Sequence, residues 1–451
     1  MQKVLILGAG MVVNPIVHYL LDKNYYVTVA SRTKSKGDAM IGGHKNGRAI
    51  GWTIDQKDLL EQMINENDLV VSLLPWVFHL EVASKCIKYK KNMVTTSYVK
   101  QPMQALDKQA REAGIIILNE MGLDPGIDHM SAMRIIDHVH ALEGEVEEFY
   151  SVTGALPAPE SADNPFRYKF SWSPKGVVMA GNNDGKYLQQ EKVVEVRTEN
   201  LFKNPFSVDF PEVGKLEIYP NRNSLPYINL YGIEETKTIM RGTFRYPGWC
   251  ETMDALKALK LITNDTFDFT SKTYADMVAM LTGMQNSNNI KQKAADYLGQ
   301  SVDSYALNAL EWLGIFDDKP MNRQKDTPFE ITSDLMINKM TMGCEERDMV
   351  AMQHIFKVKK ADGSREVIKS SMLDFGTPAT DTAVARTVAL PAAVGVEMIL
   401  SGEIREKGVH IPVIPGIYNP VLNKLEEMNI KMKEEFSLPE SEMIHESGIK
   451  S

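Results

Sequence analysis

Two glycines close to the start of the chain stand where a phosphate-binding turn needs them. The apolar run Lys3–Leu7 is typical of a short buried strand, and it leads directly into a glycine turn that opens a helical pattern. Gly8 permits the tight turn, and Gly10 lets the backbone approach a pyrophosphate at the helix N-terminus. Val13 replaces the third glycine of the dinucleotide fingerprint. The residues of this turn that we expect to contact a dinucleotide are Gly8, Ala9, Gly10, Met11 and Val12.

Three polar residues follow the second predicted strand, Tyr26–Ala30. An NAD site usually has an Asp or Glu here that binds the ribose 2′-hydroxyl, whereas this chain has Ser31, Arg32 and Thr33. A cation and two hydroxyls suit a 2′-phosphate, so the sequence predicts NADP(H) as the cofactor. A glycine pair alone also opens helices that bind nothing, but the strand before it and the helix and strand after it favour the dinucleotide-binding unit.

Alternating strand and helix patterns continue through the first 120 residues or so and predict a parallel, doubly wound sheet. Ligands of such sheets lie outside the carboxyl ends of the strands. The side chains that this rule places at a ligand site are Leu74, Pro75, Ser97, Tyr98, Asn119 and Glu120. The six predicted strands are Lys3–Leu7, Tyr26–Ala30, Ala49–Thr53, Leu69–Leu74, Met93–Ser97 and Ile115–Leu118.

Beyond the sixth strand the pattern changes in three stages. Residues 145–245 carry strand-like runs separated by Pro, Asn and Gly, which predicts a mixed, largely antiparallel sheet. From Thr252 to Leu313 apolar residues recur at helical spacing, which predicts an all-helical insertion. Strand-like patterns return between Met349 and Met372, and Thr382–Leu400 is predicted as an apolar helix that Pro391 kinks or divides.

The composition limits the classes of partner. The 451 residues are 43% hydrophobic and 24% charged, as in an ordinary globular protein, and the net charge of −9 argues against nucleic acid as the main partner. No apolar run reaches membrane-spanning length, and Lys3 is followed at once by a strand and not by a signal peptide. We therefore expect a cytoplasmic protein without a membrane partner. Its three cysteines are widely spaced, so no metal site is predicted.

Several longer motifs, taken in order, resemble the glutamate-forming, NADP-dependent saccharopine dehydrogenase family. They are Leu118–His129, Leu156–Glu160, Asp163–Pro165, Tyr168–Ser173, Pro220–Arg222, Arg241–Tyr246 and Glu346–Val350. The resemblance implies an α/β fold class with three domains, and it implies a homodimer. The domains are a variant Rossmann NADP-binding domain (residues 1–125 plus about 376–440), a mixed α/β substrate-binding and dimerisation domain (126–250 plus about 328–375) and an all-helical insertion (251–327).

The resemblance also implies a reaction in lysine metabolism. Saccharopine loses a hydride to NADP⁺ at the carbon that becomes an aldehyde, and hydrolysis of the imine gives L-glutamate and 2-aminoadipate 6-semialdehyde. The residues implied to bind this substrate are Ser97, Tyr98, Asp124, Arg222, Thr243, Phe244 and Arg245. Further cofactor contacts are implied for Leu123, Asp124, Pro125, Ser171, Trp172 and Ser173, in addition to Leu74 and Pro75. We expect Asp124 to orient the substrate amine and Tyr98 to assist through its hydroxyl, which makes these two the predicted catalytic residues.

Other interpretations of the same residues stay open at this point. A carboxynorspermidine synthase-like enzyme would couple another amine and aldehyde without anchors for both carboxylates of glutamate, and a non-catalytic NADP sensor would bind the cofactor without turnover. On sequence alone Arg222 and Arg245 are surface arginines, and His79 is either a proton-transfer residue or a packing histidine. Thr153 stands where relatives have a cysteine, and Thr53 replaces an Asp expected near the adenosine.

Overall fold

The strands and helices of the chain are described by a computed structural model that covers residues 1–444. The strands are β1 (Lys3–Leu7), β2 (Tyr26–Ser31), β3 (Gly47–Gly51), β4 (Leu69–Ser72), β5 (Asn92–Thr95), β6 (Ile116–Leu118), β7 (Glu145–Pro157), β8 (Gly185–Gln189), β9 (Lys192–Val196), β10 (Phe206–Phe210), β11 (Gly214–Pro220), β12 (Thr238–Arg245), β13 (Phe267–Asp268), β14 (Lys325–Asp326), β15 (Asp348–Lys359), β16 (Arg365–Phe375), β17 (Gly408–His410) and β18 (Lys433–Leu438). The helices are α1 (Asn14–Asp22), α2 (Lys34–Ile41), α3 (Lys57–Glu66), α4 (His79–Tyr89), α5 (Gln101–Gln104), α6 (Asp107–Ala113), α7 (Ile127–Ala141), α8 (Pro174–Ala180), α9 (Pro226–Tyr231), α10 (Trp249–Ala258), α11 (Tyr274–Thr282), α12 (Ile290–Leu298), α13 (Tyr305–Leu313), α14 (Pro328–Met340), α15 (Ala383–Ser401) and α16 (Pro415–Glu427).

The chain forms two compact units, and both are discontinuous in sequence. The first unit consists of Met1–Gly144 and Ser370–Glu434, and the second of Glu145–Lys369 with residues 435–444. Residues 126–144, which the sequence analysis placed in the second domain, cluster with the first unit. The helical segment 251–327 clusters with the second unit, and its status as a separate domain stays a prediction.

A parallel sheet forms the centre of the first unit, in the order β17-β6-β5-β4-β1-β2-β3. The apolar run Val4–Leu7 is completely buried, as expected of a parallel strand that has both faces covered. The chain passes from β1 outward to β3 and then returns to β4 on the other side of β1. The switch point of the sheet therefore lies between β1 and β4, where doubly wound proteins bind their ligands.

Three details of the first unit differ from the sequence prediction. A seventh strand, β17, pairs with β6 and was not predicted. The segment between the fifth and sixth predicted strands, where the alternating pattern predicts one helix, forms two, α5 and α6. Pro391 does not divide the apolar C-terminal helix, because α15 runs unbroken from Ala383 to Ser401.

The sequence analysis found no apolar run of membrane-spanning length, but helix α15 is long and apolar enough to cross a membrane by length and composition alone. However, 78% of its most apolar 18-residue window is buried inside the protein, which is also the pattern of a core helix. Its buried side packs against α1 and α16 in the first unit. A proline inside such a helix removes one backbone donor, and packing on several sides compensates for that loss.

A nine-stranded mixed sheet forms the second unit, with the central order β10-β11-β12-β7-β15-β16-β18 and with β8 and β9 beside β12. The pairs β10–β11, β11–β12, β7–β15 and β8–β9 are antiparallel, whereas β12 pairs with β7 in parallel. A mixed, largely antiparallel sheet was predicted and is confirmed. The segment predicted as all-helical contains α10–α13, but it also contains β13, which pairs with β14.

Candidate active site

A cleft of about 560 Å³ opens at the switch point of the parallel sheet. Its walls come from the segments that follow β1, β2, β3 and β4. The lining residues are Gly8, Ala9, Gly10, Ser31, Arg32, Thr33, Lys36, Trp52, Thr53, Ile54, Asp55, Leu73, Leu74, Pro75 and Phe78. Eight of the predicted cofactor residues thus meet in one cleft, since Gly8–Gly10, Ser31–Thr33, Leu74 and Pro75 are among them.

The two glycines of the turn have different roles. Gly8 has φ +118°, and a Cβ at this position would stand 2.8 Å from the carbonyl oxygen of Leu73, so the fold itself requires glycine here. A Cβ at Gly10 would meet no atom of residues 1–444 within 4 Å. The turn therefore leaves room at Gly10 for a group that must approach the backbone closely, which fits the pyrophosphate of a dinucleotide.

Two cations stand beside the end of β2. Arg32 and Lys36 are exposed side chains that line the cleft, and neither forms a side-chain hydrogen bond or ion pair within residues 1–444. Lys34, by contrast, is engaged with Asp38 at 2.8 Å. Two unpaired cations at the ribose end of the cleft fit the 2′-phosphate of NADP(H). Lys36 was not predicted as a site residue, although it lies only four residues after Arg32, in the first turn of α2.

The opposite wall of the cleft comes from the segment after β3. Trp52 is buried and donates from its ring nitrogen to the carbonyl of Gln56 at 3.2 Å. Thr53, which replaces the Asp expected near the adenosine, is followed two residues later by Asp55, and both line the cleft. The sequence analysis missed Asp55. An Asp was expected at position 53, and the carboxylate that lines this wall is that of Asp55, two residues later.

The other predicted cofactor residues of the first unit lie outside the lining of this cleft. Met11 and Val12 belong to the turn before α1, and the Met11 side chain is 58% exposed. Leu123, Asp124 and Pro125 belong to the loop between β6 and α7. Their contact with the cofactor stays a prediction.

Tyr98 and Asp124, the predicted catalytic residues, form a hydrogen-bonded pair. The Tyr98 hydroxyl donates to Oδ1 of Asp124 at 2.9 Å, and both side chains are half-buried. Tyr98 follows β5 and Asp124 follows β6, so the adjacent strands bring the two residues together. A carboxylate held by a phenol hydroxyl attracts a cationic amine and keeps its own orientation while doing so.

The backbone that carries Tyr98 is fixed by Glu120, which is buried at the end of β6. The amide of Glu120 donates to the carbonyl of Ser97 at 3.2 Å, and the amide of Val99 donates to the Glu120 carboxylate at 2.7 Å. The other carboxylate oxygen of Glu120 lies 2.6 Å from Nε2 of the buried His129. Glu120 thus holds the segment on both sides of Tyr98.

His79, at the start of α4, lies between two serine hydroxyls. Nδ1 is 2.8 Å from the Ser72 hydroxyl and Nε2 is 2.8 Å from the Ser97 hydroxyl, while the Thr95 hydroxyl is a longer 3.4 Å from Nε2. His79 is 4% exposed, and burial lowers the pKa of its imidazole to about 4. The ring is therefore neutral at physiological pH, and because serine hydroxyls engage both of its nitrogens, the structural interpretation is favoured over proton transfer.

In the second unit, Arg245 is enclosed by aromatic rings. It is 4% exposed, and its guanidinium carbon lies 5.0 Å from the Tyr168 ring centre, 5.8 Å from that of Tyr219 and 5.2 Å from that of Trp249. Burial raises the pKa of Tyr168, and the positive charge of Arg245 acts in the opposite direction. These cation–π contacts stabilise a buried guanidinium, but they do not neutralise its charge.

The hydrogen bonds of Arg245 leave part of its guanidinium unused. Nη1 donates to the Phe244 carbonyl at 2.7 Å, and Nε has no hydrogen-bond partner within residues 1–444. No carboxylate of the described chain forms an ion pair with this arginine, although the buried Asp348 is near enough to affect the pKa of Tyr168. A buried cation without a counter-ion is costly, so the site fits a carboxylate supplied by a ligand.

The remaining predicted residues of the second unit have varied environments. Arg222 is exposed and has φ +59°, and its carbonyl accepts from the Lys186 amide at 2.7 Å. Thr243 is half-buried on β12, whereas the Phe244 side chain is fully buried against Phe210, and a contact of Phe244 with a ligand stays a prediction.

Two positions that the sequence analysis considered carry buried hydroxyls without a partner in the described chain. Ser171 Oγ and Thr153 Oγ1 have no hydrogen-bond partner within the described residues. Trp172 donates to the Tyr168 hydroxyl at 3.3 Å, and Ser173 is exposed just before α8. A cofactor contact of Ser171, Trp172 and Ser173 stays a prediction. The aromatic residues around Arg245 were not predicted as part of a site, because their sequence pattern is that of an ordinary core.

Comparison with known proteins gives the same assignment over nearly the whole chain. Residues 4–118 match the family model described as saccharopine dehydrogenase NADP binding domain, and residues 122–430 match the saccharopine dehydrogenase C-terminal domain. Saccharopine dehydrogenase [NADP(+), L-glutamate-forming] of Schizosaccharomyces pombe is 35% identical, over 96% of this chain and 99% of that protein.

Two further relatives extend the comparison. The mitochondrial alpha-aminoadipic semialdehyde synthase of Rattus norvegicus is 36% identical over 95% of this chain, which matches 47% of that longer protein. A solved structure of apo saccharopine dehydrogenase (L-Glu forming) from Saccharomyces cerevisiae superimposes with a TM-score of 0.89 at 32% identity, and the match covers 97% of this chain and 100% of that one.

A Rossmann-type sheet, a glycine turn with space at Gly10 and unpaired cations after β2 define an NADP-dependent oxidoreductase. With the two family models matched and full-length relatives at about a third identity, the chain belongs to the saccharopine dehydrogenase family. The predicted family, α/β fold class and cofactor are thereby confirmed.

Proposed function

We propose that this enzyme interconverts saccharopine with L-glutamate and 2-aminoadipate 6-semialdehyde in lysine metabolism. The observation that carries the substrate assignment is Arg245, a buried cation without a carboxylate partner in the described chain. Saccharopine has three carboxylates, any of which can pair with the Arg245 guanidinium. A substrate with fewer carboxylates offers fewer such partners. The names of the full-length relatives support the same substrate.

Different side chains serve the cofactor and the substrate in this function. When bound, NADP⁺ supplies the hydride acceptor. In the first unit Arg32 and Lys36 bind its 2′-phosphate, and Gly10 admits the pyrophosphate. In the second unit Arg245 binds a substrate carboxylate.

Asp124 and Tyr98 act on the substrate amine. The Asp124 carboxylate attracts the amine in its cationic form, and the Tyr98 hydroxyl, 2.9 Å away, fixes the direction in which that carboxylate points. After the bound amine has lost one proton to solvent, its nitrogen lone pair drives hydride from the adjacent carbon and the C–N bond becomes an iminium ion. Water adds to the iminium carbon and loses a proton to solvent. Protonation of the nitrogen then allows cleavage of the C–N bond, which releases L-glutamate and the aldehyde.

The test is a steady-state assay in both directions with product identification by mass spectrometry. Saccharopine with NADP⁺ is expected to give NADPH, glutamate and the semialdehyde, and glutamate with the semialdehyde and NADPH is expected to give saccharopine. Turnover of a diamine with aspartate semialdehyde in place of these substrates would favour the carboxynorspermidine synthase-like alternative. Tight NADPH binding without turnover of either set would favour the sensor alternative.

We further propose that the enzyme acts in the cytoplasm as a homodimer on small-molecule substrates, without a nucleic-acid or membrane partner. The three cysteines Cys86, Cys250 and Cys344 are free thiols, which suits a reducing compartment, and the net charge of −9 disfavours binding to nucleic acid. The homodimer rests on the family resemblance. Light scattering of the purified protein tests the dimer, and cell fractionation tests the compartment.

A further inference from the structure

The bridge made by His79 between the ends of β4 and β5 has a definite hydrogen-bond direction. A neutral imidazole has one N–H and one lone pair, so it donates to one of its two serine neighbours and accepts from the other. In the first arrangement Nδ1–H donates to Ser72 and Nε2 accepts from Ser97. In the second, Ser72 donates to Nδ1 and Nε2–H donates to Ser97.

The surroundings of Ser72 select between these arrangements. Ser72 is fully buried, and its hydroxyl has no hydrogen-bond neighbour within residues 1–444 other than His79, at 2.8 Å. If Nδ1 carried the hydrogen, the Ser72 O–H would be a buried donor without an acceptor, which is costly. The second arrangement satisfies this donor. Thr95 does not reverse the balance, because its 3.4 Å contact with Nε2 is long in either case.

The second arrangement determines what the Ser97 hydroxyl can bind. Because Nε2–H already donates to Oγ, the Ser97 hydroxyl keeps its own hydrogen free, and the half-buried side chain presents a donor. The position of Ser97 is also fixed by its backbone, since its carbonyl accepts from the Glu120 amide at 3.2 Å. Carboxylate and carbonyl oxygens are acceptors and pair with a donor of this kind, whereas an ammonium group does not.

We propose that His79 is a positioning residue that, as the Nε2–H tautomer held by Ser72, makes Ser97 a hydrogen-bond donor to a substrate oxygen. This inference rests on the proposed function for the identity of the substrate. The tautomer itself does not depend on it. His79 acts through Ser97 and takes no part in proton transfer.

The tautomer is tested without substrate. In protein labelled with ¹⁵N-histidine, the His79 resonances are assigned by their loss in His79→Gln. A protonated Nε2 and an unprotonated Nδ1, unchanged between pH 6 and 8, are expected. The opposite tautomer, or titration of this ring in that interval, overturns the proposal. Because no turnover is measured, the result stands even if saccharopine proves not to be the substrate.

Matched substitutions test the effect on substrate. A glutamine amide reaches the position of Nε2 and donates to Ser97, whereas an asparagine amide reaches only the position of Nδ1. We expect the KM for saccharopine to stay within about threefold in His79→Gln and to rise about tenfold or more in His79→Asn, the effect of one lost hydrogen bond to a charged group. NADPH affinity and the pH dependence of kcat are expected to be unchanged in both variants.

The Ser97→Ala background separates positioning from simple destabilisation. If His79 acts through Ser97, His79→Asn raises KM no further once the hydroxyl is gone. An equal additional rise in the Ser97→Ala background would overturn the proposal, as would wild-type kinetics in His79→Asn. A loss of about a hundredfold or more in kcat in both His79 variants, with one limb of the pH profile lost, would instead make His79 an acid–base group.

Discussion

Arg32 allows a test at the residue scale of how the cleft selects between two cofactors. Its guanidinium lines the cleft without a partner in the described chain, so Arg32→Asp is expected to weaken NADPH binding by about 1.5–3 kcal/mol while leaving NADH binding nearly unchanged. Fluorescence titration with both cofactors measures the difference. Lys34→Gln is the matched control, because the Lys34 ammonium is paired with Asp38 and does not line the cleft. Equal losses for both cofactors would show that Arg32 serves the fold.

Asp124 is expected to orient the amine and not to transfer the proton. Asp124→Asn keeps the size of the side chain and its contact with Tyr98, but it removes the negative charge. Turnover should fall by the equivalent of about 1.5–3 kcal/mol with the shape of the pH–rate profile retained. A fall above about a thousandfold, together with loss of one limb of that profile, would identify Asp124 as the acid–base group.

The buried cation in the aromatic cage gives a third expectation at this scale. Arg245→Met roughly preserves the volume of the side chain and removes its charge. It is expected to weaken the binding of saccharopine by about 2–5 kcal/mol, seen as a higher KM, and to leave NADPH binding intact. Arg222→Ala is likewise expected to raise the KM for saccharopine and to leave NADPH binding intact. Arg197→Met, at an exposed arginine of the same unit, serves as the control. Wild-type KM values in Arg222→Ala and Arg245→Met would remove the carboxylate anchors from the mechanism.

At the scale of elements, the turn between β1 and α1 allows a paired test. Gly10→Ala adds a methyl where the structure has space, so stability should be unchanged while NADPH binding weakens. Gly8→Ala places a methyl 2.8 Å from the Leu73 carbonyl at φ +118°, which is expected to cost about 1–3 kcal/mol of folding stability. Thermal unfolding and cofactor titration distinguish the two outcomes. Loss of stability in Gly10→Ala would contradict the assigned roles.

Elements with long, regular patterns were predictable from the sequence, and short or context-dependent ones were not. The strands β1, β2 and β4 are apolar runs buried on both faces, which leaves a clear signal. Strand β17 has three residues and exists because the edge of β6 offers it a partner far away in sequence. Helix α15 continues through Pro391 because tertiary packing outweighs the missing donor, and a local pattern contains no information on that packing.

Residues of the candidate site likewise divide into those that local sequence predicts and those that depend on the folded structure. Gly8, Gly10 and Arg32 were predictable because their roles depend on residues close to them in sequence. The cage around Arg245 was not, since Tyr168, Tyr219 and Trp249 come from separate segments and resemble core residues in type and spacing. The bridge from Ser72 through His79 to Ser97 likewise depends on two strand ends and a helix start that only the folded sheet brings together.

At the scale of the whole molecule, stability in acid depends on carboxylates with lowered pKa values. Hydrogen bonds from Arg365 lower the pKa of the buried Glu147 to about 2 from an ordinary value of 4.5. Because the folded-state pKa is the lower one, this stabilisation is complete above pH 4.5 and is lost as the pH falls toward 2. In Glu147→Gln the free energy of unfolding should therefore fall by about 1–2 kcal/mol less over this pH range than in the wild type. This is less than the full pKa shift would give, because Arg365 is partly in solvent. Urea unfolding between pH 2 and 6 measures it, and an unchanged curve would contradict the expectation.

The discontinuous first unit has a consequence for biosynthesis. Residues 1–144 leave the ribosome well before β17 and α15, which belong to the same unit. At a synthesis rate of about 5–20 residues per second, β6 keeps an unpaired edge and α1 lacks its packing partner for roughly 15–60 s while the second unit emerges. The nascent chain must therefore pass through a stage in which the edge of β6 is open to pairing with another chain until β17 covers it.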